Sequence, residues 1–111
     1  MSAAHVLVIA GSDSSGGAGL ARDIETISAL GMKTCLAVTA VTVQTHEAVE
    51  RIDLCPSELV EAQISAALSA NPVAAIKIGM LGSRKTVTRV AAVLRAHADI
   101  PIVLDPVIAS S

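Results

Sequence analysis

The chain has 111 residues, 52% of them hydrophobic, with a formal charge of -2 and no Phe, Tyr or Trp. That length has room for one domain, which can bury a core without disulfides or metals. The charge offers no basic footprint for nucleic acid, and without aromatic residues bases have nothing to stack on. Charged residues interrupt every apolar stretch before the roughly 18 residues that a membrane span needs. We therefore expect no nucleic-acid partner and no membrane partner.

The N-terminal segment and the cysteines predict a cytoplasmic location. No basic segment precedes the apolar residues 6–10, and that run is too short for the core of a signal peptide. Cys35 and Cys55 lie far apart in apolar surroundings, which favours buried reduced thiols over a metal site or a redox pair. The histidines are scattered and no GxSxG motif is present, so neither a metal site nor hydrolase chemistry is favoured.

The first half of the chain predicts three strands and one helix. Residues 6–10 form a continuous apolar run, typical of a parallel strand that is covered on both faces. After a glycine-rich loop, apolar residues recur at helical spacing until Gly31, a residue typical of a helix C-terminus. Residues 34–43 predict a second buried strand, and Val49–Leu54 predicts a shorter one. The helix is expected to face the core with Leu20, Ile24, Ile27 and Leu30.

The second half predicts two helices and two strands. Pro56 and Ser57 open a helix, residues 75–78 predict a strand, Ser83 caps a further helix, and residues 100–104 predict the last strand. The inward positions are predicted to be Leu59, Ile64 and Leu68 in the earlier helix and Val87, Val90, Ala91 and Leu94 in the later one.

This alternation of strands and helices predicts an α/β fold with a mostly parallel sheet, helices on both faces and right-handed crossovers. Such sheets bind ligands beyond the carboxyl ends of their strands. Four segments leave strands at that edge, at residues 11–19, 43–47, 79–82 and 105–111. We expect these segments to share one pocket.

The first of these segments, GSDSSGGAG at residues 11–19, follows a strand and opens a helix. In that context backbone N–H groups gather around an anion or a polar ligand. The segment lacks the lysine of a Walker A loop, and Asp13 stands where the dinucleotide fingerprint GxGxxG needs its second glycine. ATP binding at this loop is therefore not indicated. The alternative is a tight turn that needs glycine only for its dihedral angles.

Four further residues are candidates for the pocket, each with a plainer alternative. Gln44 ends a strand, and its carboxamide can both donate to and accept from a heterocycle, although it could equally be a surface residue. Asp23 could be a site residue or a solvated one. Met80 could contact a flat ring or belong to the core. Asp105 could lie near a metal-bound phosphate or simply end a strand.

Five ordered blocks of sequence, covering nearly the whole chain, resemble hydroxymethylpyrimidine and phosphomethylpyrimidine kinase, a family with the ribokinase-like fold. The blocks are residues 9–19, Asp23 with Thr26 and residues 29–31, Thr39 and Ala40 with Gln44, residues 77–81, and residues 103–107.

The resemblance implies ATP-dependent phosphorylation of 4-amino-5-hydroxymethyl-2-methylpyrimidine and then of its monophosphate, in thiamine biosynthesis. It implies ATP and Mg²⁺ as cofactors, a small-molecule pyrimidine as partner, and it allows a homodimer. Asp105 would neighbour Mg-ATP. The resemblance also implies substrate-binding roles. Gln44 would bind the aminopyrimidine edge and Asp23 would lie beside the reacting group. The backbone of Gly11, Gly17 and Ala18 would line the pocket, and Met80 and Val107 would pack against the ring.

The chain departs from the family in loop residues and in length. The family usually has alanine where Val43 stands and glycine near Ala48, which puts the loop shape in question. Members are also much longer, and their second half carries the glycine-rich anion hole, the catalytic residue and most of the nucleotide site. Residues 1–111 are thus expected to be the N-terminal part of a single, apparently truncated kinase domain, inactive alone and without a catalytic residue.

Three alternatives stay open at this point. The chain could be a non-catalytic pyrimidine-binding module, or a fragment of a pyridoxal-type kinase, which shares the fold. It could also be a structural remnant that cannot fold alone, because the predicted sheet would have an unpaired edge.

Overall fold

A computed structural model describes residues 4–105, which form one five-stranded sheet with three helices. The strands are β1 (His5–Ser12), β2 (Lys33–Gln44), β3 (Val49–Leu54), β4 (Val73–Ile78) and β5 (Ile102–Leu104). The strand order is β3-β2-β1-β4-β5, and every strand is parallel to its neighbours except β3, which pairs antiparallel with β2. The helices are α1 (Gly19–Ala29), α2 (Ser57–Ala70) and α3 (Arg84–Arg95).

The central strand β1 is buried on both faces, as its continuous apolar run predicts. Successive side chains of a strand point to opposite faces. Val6 and Val8 accordingly pack in one cluster with α1, while Leu7 and Ile9 pack in a second cluster with α2 and α3. The prediction of a mostly parallel sheet with helices on both faces is therefore confirmed.

The order of the strands places a topological switch point between β1 and β4. From β1 the chain crosses through α1 to β2 on one side, whereas from β4 it crosses through α3 to β5 on the other side. Right-handed crossovers in opposite directions require α1 and α3 to lie on opposite faces, as they do. A crevice opens at such a point beyond the carboxyl ends of the strands, where open α/β sheets bind ligands.

The predicted inward faces of the first two helices are only partly right. In α1, Leu20 and Ile27 are buried, but Ile24 and Leu30 are 40% and 69% exposed. The apolar stripe of this helix is narrow, and its last predicted member is already the C-cap residue. In α2 the buried apolar positions are Val60, Ile64 and Ala67, with Leu68 packed beside them, and Leu59 is 50% exposed. The spacing from 60 to 64 to 67 follows the helical repeat, whereas the step from 59 to 64 does not.

In α3 the predicted cap is confirmed, and half of the predicted inner face is buried. The Ser83 side chain accepts a hydrogen bond of 3.1 Å from the backbone N–H of Thr86. Val90 and Leu94 are buried with Thr86, following the i, i+4 spacing. The other predicted inward residues, Val87 and Ala91, are exposed and line an open apolar groove beside β5.

Both cysteines are free thiols, but they are only partly buried. They pack beside the larger core cluster, and burial raises the pKa of the Cys35 thiol. Within residues 4–105, no helix has the length and apolar character needed to cross a membrane.

Candidate functional site

A cavity of about 450 Å³ opens at the carboxyl ends of β1, β2 and β4, over the switch point. It is bounded by the glycine-rich loop, the first turns of α1, the end of β2 and the segment after β4. The expected shared pocket is therefore present. Among the residues singled out in the sequence, its walls contain Gly11, Gly17, Ala18, Asp23, Gln44, Met80 and Asp105, while Val107 lies outside the described residues.

The glycine-rich loop is folded around the carboxylate of Asp13. Asp13 Oδ1 accepts hydrogen bonds from the Ser15 N–H at 2.8 Å and the Ser15 hydroxyl at 2.6 Å. The hydroxyl bond, followed by backbone bonds from Ser15, Ala18 and Gly17, lowers the pKa of Asp13. The backbone donors of this loop are thus directed at a carboxylate of the protein itself, which agrees with the sequence argument against a phosphate loop.

Gly11 and Met80 meet at the base of the cavity. A Cβ atom on Gly11 would lie 2.5 Å from Met80 Cε, the end of a flexible side chain, so a larger residue here would displace the Met80 side chain. The Thr39 hydroxyl is buried and donates a 2.6 Å hydrogen bond to the Met80 carbonyl, which fixes the segment after β4. Met80 therefore forms an apolar wall of the cavity, although it is not part of either core cluster.

Gln44 is held beside the loop through its backbone. The Ser14 hydroxyl donates to the Gln44 carbonyl at 2.9 Å, and the Gln44 N–H donates to Ser14 Oγ at 2.8 Å. Thr42 Oγ1 lies 2.7 Å from the Ser12 carbonyl and 2.9 Å from Gln44 Oε1. A hydroxyl has one proton, so it donates to only one of these oxygens at a time. The end of β2 and the loop after β1 are thereby joined into one rim.

The two loop residues that depart from the family pattern fit without backbone strain. Val43 is 49% exposed and lies outside the cavity wall. Ala48 closes the turn after β2 by accepting a 2.9 Å hydrogen bond from the Thr45 N–H. Within residues 4–105 no residue other than glycine has a positive φ, so Ala48 does not need glycine's conformational freedom.

Lys77 lies between two carboxylates on the cavity wall. Its Nζ forms an ion pair with Asp23 Oδ1 from α1 and lies 3.5 Å from Asp105 Oδ2 after β5. The Asp23 and Lys77 side chains are 13% and 29% exposed, so water screens this pair less than a surface pair. The hydrogen bond to Asp23, together with the attraction of both carboxylates, raises the pKa of Lys77. Asp23 is therefore an ion-paired residue of the site, not a solvated one.

The described residues do not by themselves fit a magnesium or nucleotide site. Between residues 4 and 105 no group of three or more His, Cys, Asp or Glu side chains is arranged to hold a metal ion. The Asp105 side chain is 62% exposed and its Oδ2 lies 3.5 Å from Lys77 Nζ, and the loop amides face Asp13. From this part of the chain, Asp105 would offer its other carboxylate oxygen to a metal ion bound to a phosphate.

The structure adds six lining residues that the sequence argument had not placed in the pocket. The signal for Lys77 was present, because a single charge between Ile76 and Ile78 in a buried strand needs a partner. The antiparallel pairing of β3, which brings an apolar wall to the rim, had no local signal. The added residues are Ala10, Arg22, Thr42, Val49, Ile52 and Lys77.

Sequence comparison relates the chain to kinases of phosphorylated pyrimidines. Residues 13–111 match the family model described as phosphomethylpyrimidine kinase. The hydroxymethylpyrimidine/phosphomethylpyrimidine kinase of Mycobacterium tuberculosis is 47% identical over 111 residues, which cover 99% of this chain and 40% of that protein. The chain thus spans less than half the length of this relative.

Two solved structures share the fold over nearly the whole chain. Phosphomethylpyrimidine kinase from Clostridium difficile matches with a TM-score of 0.88 and 36% identity, over 96% of this chain and 46% of that one. A pyridoxal kinase from Staphylococcus aureus, in complex with AMP-PCP and pyridoxal, matches with a TM-score of 0.84 and 34% identity, over 98% of this chain and 40% of that one.

Proposed function

Because this chain belongs to the phosphomethylpyrimidine kinase family and has its ribokinase-like fold, we propose that residues 1–111 supply the substrate pocket of such a kinase. They form the N-terminal part of a single kinase domain. The reaction is ATP-dependent phosphorylation of 4-amino-5-hydroxymethyl-2-methylpyrimidine and then of its monophosphate, a step of thiamine biosynthesis. The proposal rests on the family membership and on the cavity over the switch point.

One observation carries the proposal: the glycine-rich loop and the Gln44 carboxamide line the same cavity. An aminopyrimidine presents a ring nitrogen that accepts and an amino group that donates, side by side. A carboxamide offers the complementary donor and acceptor. The reciprocal bonds between Ser14 and the Gln44 backbone hold this residue beside the loop, and Thr42 Oγ1 lies 2.9 Å from the carboxamide oxygen, so the site is organised before the ligand arrives.

The remaining roles follow from position in the cavity. Met80 packs against one side of the ring, and Val107, outside the described residues, is assigned to the same task. Asp23 accepts a hydrogen bond from the hydroxymethyl group, and its ion pair with the Lys77 ammonium holds that carboxylate in place. Gly11, Gly17 and Ala18 let the backbone approach the ligand closely.

Phosphoryl transfer requires groups beyond those described here. Mg-ATP supplies the phosphoryl group, and catalysis depends on charge stabilisation around that group as it moves. The described residues bind and orient the acceptor alcohol, and none of them contributes an anion hole. We therefore expect residues 1–111 alone to bind the pyrimidine without turning over ATP.

The test is calorimetric binding of the pyrimidine alcohol to the natural protein that carries this sequence, compared with its Gln44→Glu variant. Glutamate keeps the size and an acceptor but loses the amide donor and adds a charge, so the Kd should rise roughly 10- to 100-fold. Gln63→Glu makes the same change outside the cavity, where the side chain bonds to the Val38 backbone, and should leave the Kd of the folded protein unchanged. Equal affinity in wild type and Gln44→Glu would refute the pocket assignment.

A further inference from the structure

Among the cavity-wall residues that the structure describes, Arg22 is the charged residue whose side chain has no hydrogen-bond or ion-pair partner within residues 4–105. It lies in the first turn of α1, one residue before Asp23, and lines the cavity. Within the described part of the chain, the Arg22 guanidinium takes part in no hydrogen bond or ion pair, and the Arg22 backbone carbonyl accepts a hydrogen bond from Thr26 Oγ1. Lys77, the other cation of the wall, is committed to Asp23 and Asp105.

The charge of the cavity wall favours a neutral ligand over an anionic one unless a cation is free. Among residues 4–105, its lining holds three carboxylates, Asp13, Asp23 and Asp105, against Arg22 and Lys77, a formal excess of one negative charge. A phosphomonoester carries close to two negative charges near neutral pH. Such a ligand would meet net repulsion, since Lys77 is already paired and the loop amides already face Asp13.

We infer that Arg22 is the residue with which this cavity recognises the phosphate of a pyrimidine phosphomonoester, the substrate of the second phosphorylation. The inference rests on the proposed function and adds to it the group that separates the two substrates. A guanidinium presents a rigid fork of donors that matches two phosphate oxygens at once. The neutral alcohol has no anionic oxygens to pair with that fork, so we expect Arg22 to discriminate in favour of the monophosphate.

The experiment measures binding of the alcohol and of its monophosphate by calorimetry, on the full natural protein and three variants. Arg22→Gln removes the charge from an exposed helical position that tolerates glutamine. Arg22→Lys keeps the charge but loses the fork. Arg95→Gln, in the last turn of α3 and outside this cavity, is the matched control. Thermal unfolding of each variant checks that it is folded.

We expect Arg22→Gln to weaken monophosphate binding by about 10- to 100-fold and to leave alcohol binding within about twofold. Arg22→Lys should give an intermediate loss, and Arg95→Gln should give none. The salt dependence of monophosphate binding should also become shallower in Arg22→Gln.

The outcomes separate this inference from the proposed function. Suppose that the wild type binds both ligands. If Arg22→Gln then weakens the binding of both ligands equally, or changes the binding of neither, the inference is wrong and the pocket assignment stands. If the wild type binds neither ligand, the proposed function fails, and the inference falls with it. A monophosphate-specific loss in Arg22→Gln supports both.

Discussion

The two faces of β4 differ in character over the three residues 76–78, since one face packs in the core and the other contributes a charge to the site. Ile76 and Ile78 point into the apolar cluster formed with α2 and α3, where Ile76 is completely buried. Lys77, between them, points to the opposite face and meets Asp23 of α1. The alternation of side chains along a strand makes this separation possible. One strand can therefore anchor the core with one face and carry the charges of a site with the other.

The same contrast extends to the clusters on the two sides of the sheet. The apolar cluster under α2 and α3 includes residues of β1, β2 and β4. The cluster under α1 is smaller, and toward the cavity its place is taken by the polar residues Thr42, Asp23 and Lys77. Polar groups replace apolar contacts at the end of the sheet where the cavity opens. We expect mutations on the first side to change stability most, and those on the second to change stability less and ligand binding more.

The largest effect on stability should come from Ile76→Ala, which disrupts the apolar cluster on one face of β4. Ile76 is fully buried beside α2 and α3, so truncation should lower the free energy of unfolding by about 2–5 kcal/mol, measured by urea denaturation. Val103→Ala removes apolar atoms from a side chain that is 57% exposed in the edge strand β5, and should cost less than about 1 kcal/mol. Equal losses in the two variants would mean that this cluster is not the core.

A smaller effect on stability is expected from Lys77→Met, which removes the ion pair on the other face of β4. It leaves the Asp23 carboxylate largely buried without its ammonium partner, at a cost of roughly 1–2 kcal/mol, since part of the site is open to water. Lys85→Met removes a lysine that is 73% exposed and 3.8 Å from Glu58, and should change stability by less than about 0.5 kcal/mol.

A double-mutant cycle tests whether the Lys77 effect acts through Asp23. If the two residues act as a pair, Asp23→Asn combined with Lys77→Met should cost less than the sum of the single variants, by about 0.5 kcal/mol or more. Strict additivity would contradict the pairing.

The smallest expected effect is the pH dependence of the stability that Lys77 contributes. The folded protein holds the pKa of Lys77 above its usual value, so the stabilisation by this group is fully present below about pH 10.4. It is lost as the pH rises through the raised value. The difference in unfolding free energy between wild type and Lys77→Met should therefore shrink above about pH 10.5.

Denaturation series for both proteins, from about pH 8 to about pH 11.5, measure this difference. Burial also raises the pKa of Cys35, but that thiol is present in both proteins and cancels. A difference that stays constant across the range would show that Lys77 keeps the same proton affinity in the folded and unfolded chain.

The order of helices and strands could be predicted because it depends on local patterns. The apolar run of β1, the Val- and Thr-rich β2 and the serine cap of α3 each depend on a few neighbouring residues. The buried faces of the helices were harder to predict from the sequence, because neighbouring residues such as Leu59 and Val60 are both apolar. Only packing against the sheet decides which of them is buried.

For the site, the sequence determined which segments meet, and the fold determined what they do to one another. Loops that follow parallel strands share one edge, so Gly11, Gln44 and Met80 could be expected in one cavity from chain order alone. No local pattern joins Asp23 to Lys77, which are 54 residues apart, or leaves the Arg22 side chain without a partner among residues 4–105. Local propensity acts over a few residues, whereas the balance of charge in a cavity depends on every element that reaches it, so it was decided only when the sheet was assembled.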